Sequence, residues 1–183
     1  TFGNTIIDSI NLLKINKSNI SESQASIVVS IHRFQNIYNK ERLSEISKML
    51  NTLSEKYILN FVLHPATEKK LKKFNLFNDL KNNKRINLLP RMTYQHFLTL
   101  ALDSNVVITD GGSNQEELAF FGHPTVILRD YTERQDGIGY NAVLINKIPD
   151  LTNFIINQEF IKLKHDKITI NKSPSQTITN YFK

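Results

Sequence analysis

The sequence predicts an α/β fold: one doubly wound parallel sheet with helices on both faces. Two observations carry this. Short β-branched runs alternate with stretches of helical periodicity, and the strand-like runs are almost continuously apolar, as strands covered on both faces must be. The chain has 183 residues. That length suits a single domain with a substantial core.

The elements read in order. Ser26 to Ile31 is a buried strand. Lys40 to Lys56 is helical, with Leu43, Ile46, Leu50 and Leu53 on one face. Tyr57 to Leu63 is the next strand and ends at His64-Pro65, where proline stops the ladder. A lysine-rich helix over Thr67 to Phe74 leads to the strand Ile86 to Leu89. Thr93 caps a helix through Leu102. Val106 to Thr109 is a strand, Ser113 to Phe121 a helix, and Thr125 to Leu128 a strand, with a last short one at Val143-Leu144. Pro149-Asp150 opens a helix to Lys162, Lys164 to Pro174 is a polar loop, and Ser175 to Phe182 is a terminal helix.

Composition narrows the chemistry. The chain has no cysteine, which removes disulfides and thiolate zinc sites and suits a reducing cytoplasm. No apolar run approaches the roughly 20 residues that span a bilayer. The formal net charge of +6 favours anionic partners. The lysines are scattered, and aromatics do not interleave with them as in an RNA-binding sheet, so no nucleic-acid or membrane partner is expected. His96, His123 and His165 lack metal-ligand spacing, so no metal is expected. No Gly-x-Ser-x-Gly elbow or Cys/His pair is present.

An open parallel sheet binds ligands at the carboxyl ends of its strands. There, the strand at 106–109 delivers Asp110-Gly-Gly-Ser113. The glycines allow close backbone approach, and the following helix turns its free N–H groups and positive end to the same spot. That is the recipe for a diphosphate cradle. Gln115, Glu116 and Glu117 follow in the first turns, where a carboxylate can accept hydrogen bonds from a ribose diol. A plain Asp-Gly-Gly turn with Ser113 as helix cap fits the local chemistry equally well. The segment has neither Gly-x-Gly-x-x-Gly spacing nor a phosphate-loop lysine. Two other segments leave strands at the same edge. His32-Arg33 offers an imidazole and a guanidinium, against the alternative of a histidine capping a helix. Arg129-Asp-Tyr-Thr-Glu-Arg134 offers two arginines and a hydroxyl, against that of a surface salt-bridge loop. His64 is expected to shape its loop, and Tyr94 and Phe97, at i and i+3, to belong to the core.

Taken together, Gly3 to Asp8, Ile31 to Asn36, Leu63-His-Pro65, Met92 to Phe97, Thr109 to Glu117 and Leu128 to Arg134 resemble the C-terminal half of the non-hydrolysing UDP-N-acetylglucosamine 2-epimerases, in the family's order from residue 3 to about 145. The resemblance implies a Rossmann-like domain of a GT-B architecture, with the active site in the cleft between two such domains. Residues 1–183 would form the single UDP-binding domain, with the N-terminal Rossmann domain absent from this chain. The start at Thr1-Phe-Gly-Asn4, without a methionine, fits a piece of something longer.

By position, Gly111, Gly112 and Ser113 would line the diphosphate site and Glu117 would bind the ribose hydroxyls. Arg134 and His32 would point at the diphosphate and leaving group, with His32 the catalytic candidate and Arg33 beside it. Met92 and Phe97 would frame the uracil. The implied reaction interconverts UDP-GlcNAc and UDP-ManNAc by elimination and re-addition of UDP, without a cofactor, in surface-polysaccharide biosynthesis. The family keeps its acid/base carboxylates largely on the N-terminal domain, so this chain alone is expected to be inactive, and the full-length protein to be a cytoplasmic homodimer. A GT-B glycosyltransferase using a UDP-sugar donor, or a non-catalytic nucleotide-sugar-binding domain, are the alternatives. Three places depart from the family pattern: Gly111-Gly112-Ser113 replaces Ser-Gly-Gly, Arg33-Phe34-Gln35-Asn36 replaces Arg-Arg-Glu-Asn, and Arg91-Met92 replaces Pro-Leu.

Overall fold

The computed structural model describes residues 3–13, 15, 25–169 and 172–182. Thr1 and Phe2 of the N-terminal segment lie outside them. The elements are α1 (Ile6–Leu12), β1 (Ser26–Ser30), α2 (Phe34–Ile37), α3 (Lys40–Ser54), β2 (Ile58–Val62), α4 (Pro65–Lys73), α5 (Phe77–Asn82), β3 (Ile86–Leu89), α6 (Tyr94–Leu102), β4 (Val106–Thr109), α7 (Gly112–Phe120), β5 (Thr125–Ile127), β6 (Ala142–Leu144), α8 (Ile148–Ile156) and α9 (Pro174–Tyr181). A 3₁₀ turn at Glu159–Leu163 follows α8.

The six strands form one all-parallel sheet in the order β3-β2-β1-β4-β5-β6. The order reverses between β1 and β4, which is where an open doubly wound sheet has its ligand crevice. The expected fold class is the observed one. Successive side chains of a strand point to opposite faces. Ile27, Val29 and Ile31 accordingly pack in a core layer with Leu43, Ile46, Leu50 and Leu53 of α3 and Leu151 and Ile155 of α8. Val28 and Val107 pack on the other face with Ala101, Leu102 and Leu118 of α6 and α7. Each fully buried aliphatic side chain contributes about 1.5–3 kcal/mol of burial.

Several local expectations change. The helix expected from Pro149 to Lys162 ends at Ile156; Gln158 then takes a left-handed conformation with φ 59°, and the chain tightens into the 3₁₀ turn. Left-handed backbone cannot continue a right-handed helix. Pro65 does end β2, but as the first residue of α4, where its missing N–H costs nothing. Helices α1, α2 and α5 were not anticipated; all three lack a side-chain N-cap.

Candidate functional site

The carboxyl ends of β1, β4 and β5 meet at one edge, and a buried carboxylate joins them. Asp110 follows β4 and is fully buried. It accepts hydrogen bonds from the backbone N–H of His32 (3.0 Å) and Arg33 (2.8 Å) and from Asn36 Nδ2 (3.0 Å). Asn36 Nδ2 also donates to the Leu128 carbonyl, at the end of β5 (3.1 Å). Buried carboxylates persist only when their lone pairs are satisfied. Asp110 is therefore the tie that sets the relative positions of His32 and the glycine turn.

The turn itself leaves a helix end open. Gly111 is the N-cap of α7, in extended conformation and with no side chain to cap it. Ser113 is neither the cap nor the first helical residue. It is the second residue of α7, and it is exposed. Helix geometry gives the amides of Gly112, Ser113 and Asn114 no intrahelical acceptor, so they present donors and the positive end of the dipole. Thr109 Oγ1 holds the turn by accepting from Gly111 N–H (3.0 Å) and Asn114 Nδ2 (3.1 Å).

A guanidinium lies over that end. A Cβ added to Gly112 would sit 2.9 Å from Arg134 Cζ, so glycine is what lets Arg134 lie there. Arg134 Nη1 pairs with Glu116 Oε1 at 2.7 Å. Its buried Nε makes no hydrogen bond among the described residues, and the Glu133 carboxylate is 3.7 Å away. The arginine loop is latched to α7 by fully buried Gln115, whose Nε2 donates to the carbonyls of Arg134 (3.0 Å) and Asp136 (2.9 Å). Thr132 Oγ1 donates to Gln115 Oε1 at 3.0 Å. The loop does hold salt bridges: Glu133 takes Arg129 at 2.9 Å and Arg33 at 3.8 Å. Arg33 thus turns toward the β5 loop and lines a small polar cleft of about 60 Å³ there.

Glu117 is one turn further along α7 and almost completely buried. Burial, with the charge of Glu116 adding to it, pushes its pKa up to about 7, against the opposing hydrogen bond with Tyr94. Burial and the neighbouring Glu117 carboxylate likewise raise the Tyr94 phenol. Tyr94 is 37% exposed and is not a core residue, unlike its i+3 neighbour Phe97, which packs against the α1/α7 core. Met92, Tyr94, Phe97, Asn114, His32 and His64 line a cavity of about 380 Å³.

His32 is not a helix cap; Arg33 occupies the N-cap of α2, and without a side-chain hydrogen bond. His64 does cap α4, its Nδ1 accepting from Ala66 N–H, so the loop-shaping role is the observed one. Burial, then His32 and Arg91, lower the His64 pKa.

The structure therefore gathers His32, Gly111, Gly112, Ser113, Glu117 and Arg134 around the start of α7, with Met92 and Phe97 lining the adjoining cavity. Asp110 as a hub, Gln115 and Thr132 as loop anchors, and Tyr94 as the partner of Glu117 were not anticipated as functional residues. The sequence marks Tyr94 only by its place in the Met92 to Phe97 segment, directly after the Thr93 cap.

The family model described as UDP-N-acetylglucosamine 2-epimerase matches residues 1–177. The chain belongs to this family. It is 36% identical over 155 residues to the UDP-N-acetylglucosamine 2-epimerase of Methanococcus maripaludis, covering 78% of this chain and 42% of that protein. The Methanocaldococcus jannaschii enzyme matches at the same identity and coverage. The crystal structure of that enzyme in complex with UDP-GlcNAc and UDP superposes with a TM-score of 0.83 and 30% identity, over 100% of this chain and 54% of the other. The Neisseria meningitidis enzyme bound to UDP-GlcNAc shares the fold, with a TM-score of 0.77 at 23% identity. The chain thus spans about half the length of the relatives it matches. Among the described residues, no helix is long and apolar enough to cross a membrane.

Proposed function

We propose that this chain is the UDP-binding half of a UDP-N-acetylglucosamine 2-epimerase. The observation that carries the proposal is the Arg134 guanidinium packed over the open N-terminus of α7, in the space that a side chain at Gly112 would take. A diphosphate there would receive the amides of Gly112, Ser113 and Asn114, the helix dipole and the positive charge of the Arg134 guanidinium. Glu117, when ionised, would accept hydrogen bonds from the ribose hydroxyls. Met92 and Phe97 would bound the uracil, in a cavity that also takes His32 to its wall.

Interconversion of UDP-GlcNAc and UDP-ManNAc by this route breaks the anomeric C1–O bond and the C2–H bond, releasing UDP and a proton and leaving a C1=C2 double bond; UDP then re-adds at C1 while a proton is delivered to the opposite face of C2. The developing negative charge on departing UDP needs cations and donors near the diphosphate, which Arg134, His32 and the α7 amides would supply. A second Rossmann domain would bring the acid/base carboxylates to the sugar across the cleft. The enzyme would act in the cytoplasm as a homodimer, supplying N-acetylmannosamine donors for surface polysaccharide.

The test is incubation of the whole protein with UDP-GlcNAc, followed by product analysis. UDP-ManNAc at equilibrium with UDP-GlcNAc is the expected result. Transfer of the sugar to an acceptor with no C2 epimer formed would make the protein a transferase instead.

A further inference from the structure

We propose that Asp110 is the positioning residue for His32: it fixes the ring so that Nδ1–H donates to Asp110 Oδ1 and Nε2 is the nitrogen presented to the nucleotide cleft. This rests on the UDP-binding reading for the purpose of the orientation, and on geometry alone for the orientation itself.

The geometry follows from counting lone pairs. An ionised carboxylate has about four acceptor sites. Asp110 Oδ2 takes Arg33 N–H at 2.8 Å and Asn36 Nδ2 at 3.0 Å. The His32 N–H is shared, 3.0 Å from Oδ1 and 3.1 Å from Oδ2. One site on Oδ1 remains, and His32 Nδ1 stands 3.3 Å from it. A flipped ring would put a carbon against that oxygen and leave a fully buried lone pair without a donor, which is costly. Gly111 leaves room for the ring there, because a Cβ would lie 3.2 Å from His32 Cε1. The His64 ring, 5.5 Å from the His32 ring, flanks it as well.

Asp110 is itself held from behind. Asn36 binds both it and the Leu128 carbonyl, and Arg42 Nε donates to Asn36 Oδ1 at 3.3 Å. The carboxylate thus has a fixed place with respect to β1, β4 and β5. A histidine's ring nitrogens differ in role according to which one has a fixed partner. Here the partner leaves Nε2 to act toward the departing UDP.

The experiment is a long-range ¹H–¹⁵N correlation on the ¹⁵N-histidine-labelled chain, recorded at alkaline pH with neutral imidazoles, with UDP titrated into the same samples. His32 protonated on Nδ1 is expected; protonation on Nε2 overturns the proposal without reference to any variant. In Asp110→Asn, the His32 proton is expected to move to Nε2 in part or wholly, and UDP affinity to fall about tenfold, the weight of one charge-assisted hydrogen bond. An unchanged tautomer in a folded Asp110→Asn also overturns it. Should that variant not fold, the tautomer of the unsubstituted chain decides. Nδ1 protonation without UDP shifts leaves the orientation standing and sinks the nucleotide reading. UDP binding with Nε2 protonated does the reverse.

Discussion

Replacing Glu117 with glutamine is expected to stabilise the fold and weaken the nucleotide at once. Glu117 is 3% exposed, so solvent screens it little. Its folded pKa of about 7 exceeds the ordinary 4.5. Between those two values the folded chain holds a proton that the unfolded chain has lost, so stability falls as pH rises through this window. At about 1.4 kcal/mol per pH unit, the full gap corresponds to about 3 kcal/mol of destabilisation once Glu117 is ionised. Glutamine keeps the shape and an acceptor for the Tyr94 hydroxyl, and it carries no charge. Urea denaturation of both proteins at pH 4.5 and pH 8 measures the effect. Glu117→Gln should match the parent within about 0.5 kcal/mol at the lower pH and exceed it by about 2–3 kcal/mol at the higher. UDP affinity at pH 8 should fall roughly 10- to 100-fold if Glu117 holds the ribose as proposed, since charge-assisted bonds would be lost. A variant equally stable at both pH values relative to the parent, or less stable at pH 8, would refute the reasoning about this carboxyl.

Three further substitutions separate fold from site. Gly112→Ala should change stability by less than about 1 kcal/mol, since the Arg134 side chain can swing away, yet reduce UDP affinity measured by calorimetry. Gln115→Ala removes three partly buried hydrogen bonds and should cost about 2–4 kcal/mol in denaturation, with faster hydrogen exchange confined first to residues 132–137. Gly122→Ala forces a Cβ to 2.7 Å from the Asp166 carbonyl oxygen at φ 61°. It should lower the thermal midpoint by several degrees while UDP binding of the remaining folded protein is unaltered.

All six strands lie within a residue of where the apolar runs place them, because buried parallel strands must be apolar on both faces. Thr93 was legible as a cap for a local reason, its side chain accepting from His96 N–H three residues on. Helices α1, α2 and α5 were not legible: they are short, uncapped and stabilised by packing. The left-handed Gln158 was equally hidden, since nothing local marks a non-glycine residue for φ 59°. The site divides along the same line. Its glycines, helix start and arginines are local features and could be read in order. Asp110 meets His32 and Asn36 across more than seventy residues of chain, and Glu117 meets Tyr94 from another helix, so only the fold brings out their roles.

The central claim is that the start of α7 and Arg134 receive a nucleoside diphosphate. An amide and arginine-Nε NMR titration of this chain with UDP, set beside one with uridine, tests it most directly. UDP should shift Gly112, Ser113 and Asn114 amides and Arg134 Hε, with a dissociation constant on the order of micromolar to millimolar for half a cleft. Uridine should shift residues around Met92 and Phe97 and leave the α7 amides largely still. No shifts at millimolar UDP, or shifts confined to the lysine-rich face of α4, would contradict the account.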